Sequence, residues 1–146
     1  MPRTPDPRPL DVCAHEAAHV VVGVALGLRL RRAVVAREPL PGGRVGLGWV
    51  QFAGGVRRRL AHAIMAAAGV AWERATGGRG DYYDRRYARE LVASGHDLES
   101  CVVAASALLA TRGAAHAAVT RALLERDLGP RDIEAIARGE IVAGGD

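Results

Sequence analysis

Lysine is missing from this chain: all 20 basic residues are arginine. With alanine and glycine abundant, that choice reads as the coding bias of a GC-rich genome, so the net charge of +4 says little about a polyanionic partner. Aromatic residues make up only 4%, which removes the stacking platforms that single-strand nucleic-acid binders need. The one basic run, Arg57-Arg58-Arg59, is the kind of cluster that a solvated helix end carries. Cysteine is limited to Cys13 and Cys101, too few for a disulfide framework, so the expectation is reduced, buried thiols in a cytoplasmic protein. No apolar stretch reaches the length of a membrane span and no signal peptide is recognised ahead of the first helix. Four of the seven prolines fall within Met1–Pro9, which predicts a disordered arm over 1–9. The remaining residues, 10–146, are enough for one domain, and a hydrophobic fraction of 49% supplies its core.

What the chain does hold is His15-Glu16-Ala17-Ala18-His19, set in an apolar run that continues through Val20, Val21 and Val22. Two histidines four residues apart on a helix project from one face, one turn apart. Both imidazoles can then ligate a single zinc ion while the intervening glutamate reaches its water. The ordinary alternative is a solvated face of an amphipathic helix. Against it, Val20–Leu28 carry no charge, so the helix is expected to be mostly buried, and a Glu and two His in a buried helix need a partner.

The rest of the chain reads as mainly α with a small β-sheet. A first helix spans Leu10 to about Gly27; a short strand covers Ala33–Ala36, bounded by Pro39, Pro41, Gly42 and Gly43. A second strand, Arg44–Phe52, alternates Val45, Leu47 and Trp49 with Gly46 and Gly48. Such a strand at a sheet edge can accept an extended peptide along Gly46, Leu47, Gly48, Trp49 and Val50; an ordinary hairpin strand is the competing reading. Arg57 to about Thr76 forms a second helix with Leu60, Ile64, Met65, Ala68 and Trp72 as its apolar face, closed by Gly77-Gly78. His62 reads as a packing or solvent histidine. A charged insert, 79–94, holds all three tyrosines. Further helices are expected over Leu98–Arg112, Ala114–Asp127 and Arg131–Arg138, with Pro130 in the first turn of the last.

Zinc wants a third protein ligand, and the residues leave the choice open. Val22 stands where the metzincin pattern has glycine, and no histidine follows before His62, which excludes that class. Glu73 near the end of the second helix is a rival ligand, or a carboxylate that orients a ligating histidine. Asp81 and Asp84 remain open. Asp97 can cap the following helix or supply the third ligand.

The order of these features resembles the protease domain of the FtsH-type, membrane-anchored AAA+ zinc proteases. His15-Glu16-Ala17-Ala18-His19-Val20 is similar to the family's His-Glu-Ala-Gly-His and its apolar helix, and Gly46-Leu47-Gly48-Trp49-Val50-Gln51 to its Gly-x-Leu-Gly strand. Ala68–Arg74 loosely matches the helix that ends Gly-Gly-Arg-Ala-Ala-Glu-Glu, and Gly95-His96-Asp97-Leu98-Glu99 looks like Ser-Asn-Asp-Leu-Glu. Leu123–Ile136 is similar to the closing helices, so the likeness spans about Leu10 to Gly139. The resemblance implies a zincin-like fold, Zn2+ held by His15, His19 and Asp97, Glu16 as catalytic base, and a homo-oligomer. Ala18 replaces the family's glycine, the insert before Asp97 is longer, and the family's ATPase module and membrane helices have no counterpart in this sequence.

The expected function is therefore an ATP-independent zinc metalloendopeptidase acting on peptides or unfolded proteins, or on material handed over by a separate ATPase or adaptor. Two other classes compete: a zinc-containing module that binds peptide without cleaving it, which the presence of Glu16 argues against, and a nucleic-acid-binding domain using its arginine surface, which would bind with a steep salt dependence.

Overall fold

The computed structural model describes residues 10–35, 48–54, 57–77 and 97–140. The expected N-terminal arm, the insert 79–94 with Asp81 and Asp84, and the strand residues Gly46 and Leu47 lie outside them. The described chain is mainly helical with one small sheet: α1 (Leu10–Ala25), β1 (Leu30–Val35), β2 (Gly48–Phe52), α2 (Arg59–Thr76), α3 (Leu98–Ala110), α4 (Gly113–Glu125) and α5 (Pro130–Ala137).

Helix α1 is the centre of the molecule, and every residue from Cys13 to Gly23 is buried. Three successive valines, Val20–Val22, cost a few tenths of a kcal/mol each in helix propensity, whereas burying each side chain returns about 1.5–3 kcal/mol. Burial wins, and the helix is apolar on all sides because α2, α3, α4, α5 and both strands pack on it. It stops in a Schellman turn two residues before the Gly27–Leu28 junction expected to close it. Gly27 takes φ +78°, Leu28 N–H reaches back to Gly23 C=O at 2.9 Å, and Gly27 N–H reaches Val24 C=O at 3.0 Å.

β1 and β2 form an antiparallel pair in the register Val35↔Gly48, Val34↔Trp49, Ala33↔Val50, Arg32↔Gln51 and Leu30↔Phe52. The strand expected over Ala33–Ala36 begins earlier, at Leu30, with a bulge between Leu30 and Arg32 in its first half. Leu30 is fully buried at that point, and α5 closes the strand's outer edge there. Leu30 N–H donates to Glu134 Oε2 at 3.1 Å, Arg131 donates to Leu30 C=O, and Arg131 and Glu134 pair with each other. One helical turn thus does for Leu30 what a neighbouring strand's amide and carbonyl would do.

The sheet and α1 are keyed together by two glycines, one on each partner. At Gly23 on α1 an added Cβ would lie 2.2 Å from Cζ of Phe52, so the Phe52 ring lies directly over the helix backbone. At Gly48 on β2 an added Cβ would lie 2.6 Å from Cγ of Glu16 and 3.0 Å from the Val34 carbonyl oxygen. β2 therefore runs beside α1 with one end on Gly23 and the other on Glu16.

Against α1, helix α2 presents mostly alanine. Ala63, Ala66, Ala67, Ala68, Val70 and Ala71 are buried, while Leu60, expected on the apolar face, is 42% exposed. The small residues let the two helix backbones approach, and the bulkier Leu60 sits at the rim. α2 ends as the sequence predicts, at Gly77 with φ +80°. His62 packs inside, its Nε2 3.1 Å from Ala53 C=O, and Pro130 occupies the first turn of α5.

Candidate metal centre

His15 and His19 occupy successive turns of α1 on the side facing α2, and both are buried. Each ring is fixed through Nδ1 by an acceptor on α2: His15 Nδ1 donates to Glu73 Oε1 at 2.8 Å, and His19 Nδ1 donates to the Met65 carbonyl at 2.8 Å. A carboxylate and a carbonyl accept, so these partners place a proton on Nδ1 of both rings and turn each Nε2 towards the other. The two Nε2 atoms stand 3.2 Å apart, with ring centroids 4.9 Å apart and planes at 73°.

At that separation the two nitrogens can share one proton, as a hydrogen bond between the rings, or one cation. Tetrahedral zinc with Zn–N bonds of about 2.0–2.1 Å sets its nitrogen ligands about 3.3 Å apart, which is the spacing of this pair. The pair thus matches two of the nitrogen ligands a zinc ion would take, with Nδ1 of each ring held from behind. Residues that would hold the ion are His15 and His19. Glu73 lies on the Nδ1 side of His15, across the ring from Nε2, where it orients the imidazole rather than sharing its ion.

Glu16 is 7% exposed on the same helix, and its side chain lies against Gly48 of β2. Trp49 and Val50 follow along the strand; Trp49 is 45% exposed with the Arg32 guanidinium 5.2 Å from its ring centre, and Val50 is half-buried against the core. Of the expected peptide-binding strand, Gly48 is thus brought beside the glutamate, with Trp49 and Val50 next along β2.

Asp97 is exposed at the N-cap of α3, where Oδ1 accepts from Ser100 N–H at 2.7 Å. Among the described residues no third His, Cys, Asp or Glu completes a metal-holding group with His15 and His19. Arg74, the residue after Glu73, pairs through both guanidinium nitrogens with Glu99 at 2.7 and 2.8 Å, joining the end of α2 to the start of α3. The Asp97 charge also adds to the burial that pushes the Cys101 thiol up from its ordinary value, so that cysteine stays protonated. Cys13 and Cys101 are both buried, and no disulfide joins them.

One histidine with a structural part to play was not singled out from the sequence. His116 on α4 is buried, its Nε2–H donates to the Ala14 carbonyl at 2.9 Å, and its ring lies 3.9 Å from that of Trp72 at an angle of 30°. It ties α4 to α1 one residue before His15. Burial holds its pKa below the ordinary value, outweighing the bond to Ala14. The signal was available in principle, since His116, Val119 and Leu123 fall on one buried stripe at helical spacing.

No protein-family model matches the chain, and neither a curated protein nor a solved structure matches it.

Proposed function

We propose that this chain is a zinc metalloendopeptidase that hydrolyses peptide bonds in peptides or unfolded protein segments without consuming ATP. The observation that carries the reading is the facing pair of Nε2 atoms, 3.2 Å apart, each ring locked from behind by an acceptor, with a buried glutamate on the intervening turn.

Zinc, when bound there, supplies Lewis acidity to a scissile carbonyl and lowers the pKa of water towards about 7. The protein's own groups do the remainder. Glu16, held between α1 and Gly48, accepts the proton of the attacking water and passes it to the leaving amine. Glu73 and the Met65 carbonyl keep both imidazoles in the ligating tautomer. Substrate lies extended along β2, whose partner β1 has its outer edge met by α5 at Leu30. Main-chain hydrogen bonds of that kind give affinity with little sequence preference, and they require an unfolded segment. Third-ligand duty falls to Asp97 in this reading, with homo-oligomers, a separate ATPase or adaptor, and a cytoplasmic setting as its further parts.

A second reading is favoured by one observation, the engagement of Asp97 as a helix cap: a zinc-containing module of the same fold that binds peptide and does not cleave it. Zinc content and turnover on unfolded casein separate the two. Glu16→Gln is expected to keep about one zinc per chain and to lose cleavage, whereas a variant that cleaves as fast as the parent removes Glu16 from the mechanism. Peptide binding of equal strength in parent and variant, with turnover in neither, selects the second reading.

A further inference from the structure

On the side of His15 that faces away from Nε2, α1, α2 and α4 enclose a cleft of about 750 Å³. That is the size of a site for a small organic ligand. Trp72 and His116 form a stacked aromatic wall within it. Glu73 lines it as well, and while Oε1 is committed to His15, Oε2 is buried with no hydrogen-bond partner among the described residues. A carboxylate oxygen left in that condition costs about 1–3 kcal/mol or more relative to a paired one. The remaining charged residues of the lining are Asp11, Arg121 and Glu125, so carboxylates outnumber guanidinium groups three to one among the described residues. Burial also keeps His116 uncharged in the neutral range, so it adds no opposing cation.

We propose that this cleft binds an organic ammonium ion with an aromatic or branched apolar body. The body stacks on Trp72 and His116, where an indole face also favours a cation, and the ammonium N–H donates to the idle oxygen of Glu73. An anion would meet Arg121 alone against three carboxylates. A neutral alcohol of the same shape could donate one hydrogen bond to Oε2 but would bring no charge, so its bond is the weaker one. The site is separate from the one that would hold zinc, although both touch His15 through Glu73, one on each side of the ring.

The chain has two tryptophans, so Trp49→Phe leaves Trp72 as the only indole and its emission reports on the cleft. The full chain carrying that substitution is titrated with phenethylammonium, 2-phenylethanol and phenylacetate, each with zinc present and after chelation. The expected result is saturable binding of the ammonium in both conditions, at least about ten-fold tighter than the alcohol, with phenylacetate weakest. Glu73→Gln is expected to erase the preference for the ammonium over the alcohol. Equal binding of alcohol and ammonium, no saturable change with the ammonium, or binding that requires zinc would each overturn the proposal. The comparison of ligands on one unaltered protein keeps it decidable if Glu73→Gln fails to fold. Because the readout needs no turnover, failure here leaves the peptidase reading standing, and failure of that reading leaves the cleft untouched.

Discussion

Adding a single methyl group at Gly48 tests the way β2 is seated on the helix that bears the histidines. In Gly48→Ala the new Cβ would lie 2.6 Å from Glu16 Cγ, 3.1 Å from Glu16 Cδ and 3.0 Å from the Val34 carbonyl oxygen. The Val34 oxygen belongs to the paired strand and has little room to yield, so Glu16 must move. Overpacking of this kind costs about 1–3 kcal/mol, a fall in Tm of about 2–12 °C at this chain length. Gly23→Ala is the control: its Cβ would lie 2.2 Å from the Phe52 ring, at the far end of the same helix–strand contact. Both variants should melt earlier than the parent by scanning calorimetry, and both should bind zinc as the parent does, since neither touches His15, His19 or their partners on α2. They should differ in turnover. Displacing a general base forfeits part of an effect worth about 10²–10⁴-fold, so kcat on an unfolded substrate should drop by one to two orders of magnitude, about ten- to a hundred-fold, in Gly48→Ala and remain near the parent value in Gly23→Ala. If Gly48→Ala melts with the parent while Gly23→Ala is destabilised, Glu16 does not rest on β2 and the reasoning fails at its first step.

Three further outcomes follow from the same geometry. Glu73→Gln keeps an acceptor for His15 Nδ1 but removes its charge, so zinc affinity measured against a competing chelator should weaken about 10–100-fold; an unchanged affinity would show that the carboxylate does not tune this histidine. Glu134→Ala strands the buried Leu30 N–H and should cost about 1–3 kcal/mol in urea unfolding; an unchanged stability would refute the edge-closing account. His116 has a folded pKa below its ordinary 6.5, so as pH falls below about 6.5 the unfolded chain takes up a proton that the folded one refuses. Stability should decline through that window, by at most about 1.4 kcal/mol per pH unit from this group, and His116→Gln should flatten the decline; equal pH profiles would place the titration elsewhere.

How much could be read in advance depends on whether the cause was local. The helix through His15 and His19 was legible because its period, its apolar run and its glycine stop all lie within one segment, and the same holds for the Asp97 cap of α3 and the Gly77 end of α2. The first strand was misjudged at its start because Leu30 is completed by Arg131 and Glu134, a hundred residues further on. Leu60 was assigned to the wrong side of α2 because an alanine surface, not the larger side chain, makes the closest helix contact. Of the centre itself, the two imidazoles and Glu16 were evident from spacing, and Glu73 entered as one option among several. The Met65 carbonyl could not have been foreseen, since any residue supplies a carbonyl and only the packing of α2 on α1 selects this one.

The closure of Leu30 by a side-chain pair has a meaning for self-association as well as for stability. A two-stranded ribbon with both borders open can be extended in either direction by copies of itself, which is how sheet fibrils grow. Here the first border is stopped at Leu30 by a guanidinium and a carboxylate, groups that occupy the main-chain positions without offering a new ladder beyond them. The ribbon therefore cannot be extended past Leu30 on the β1 side, which leaves growth in one direction instead of two.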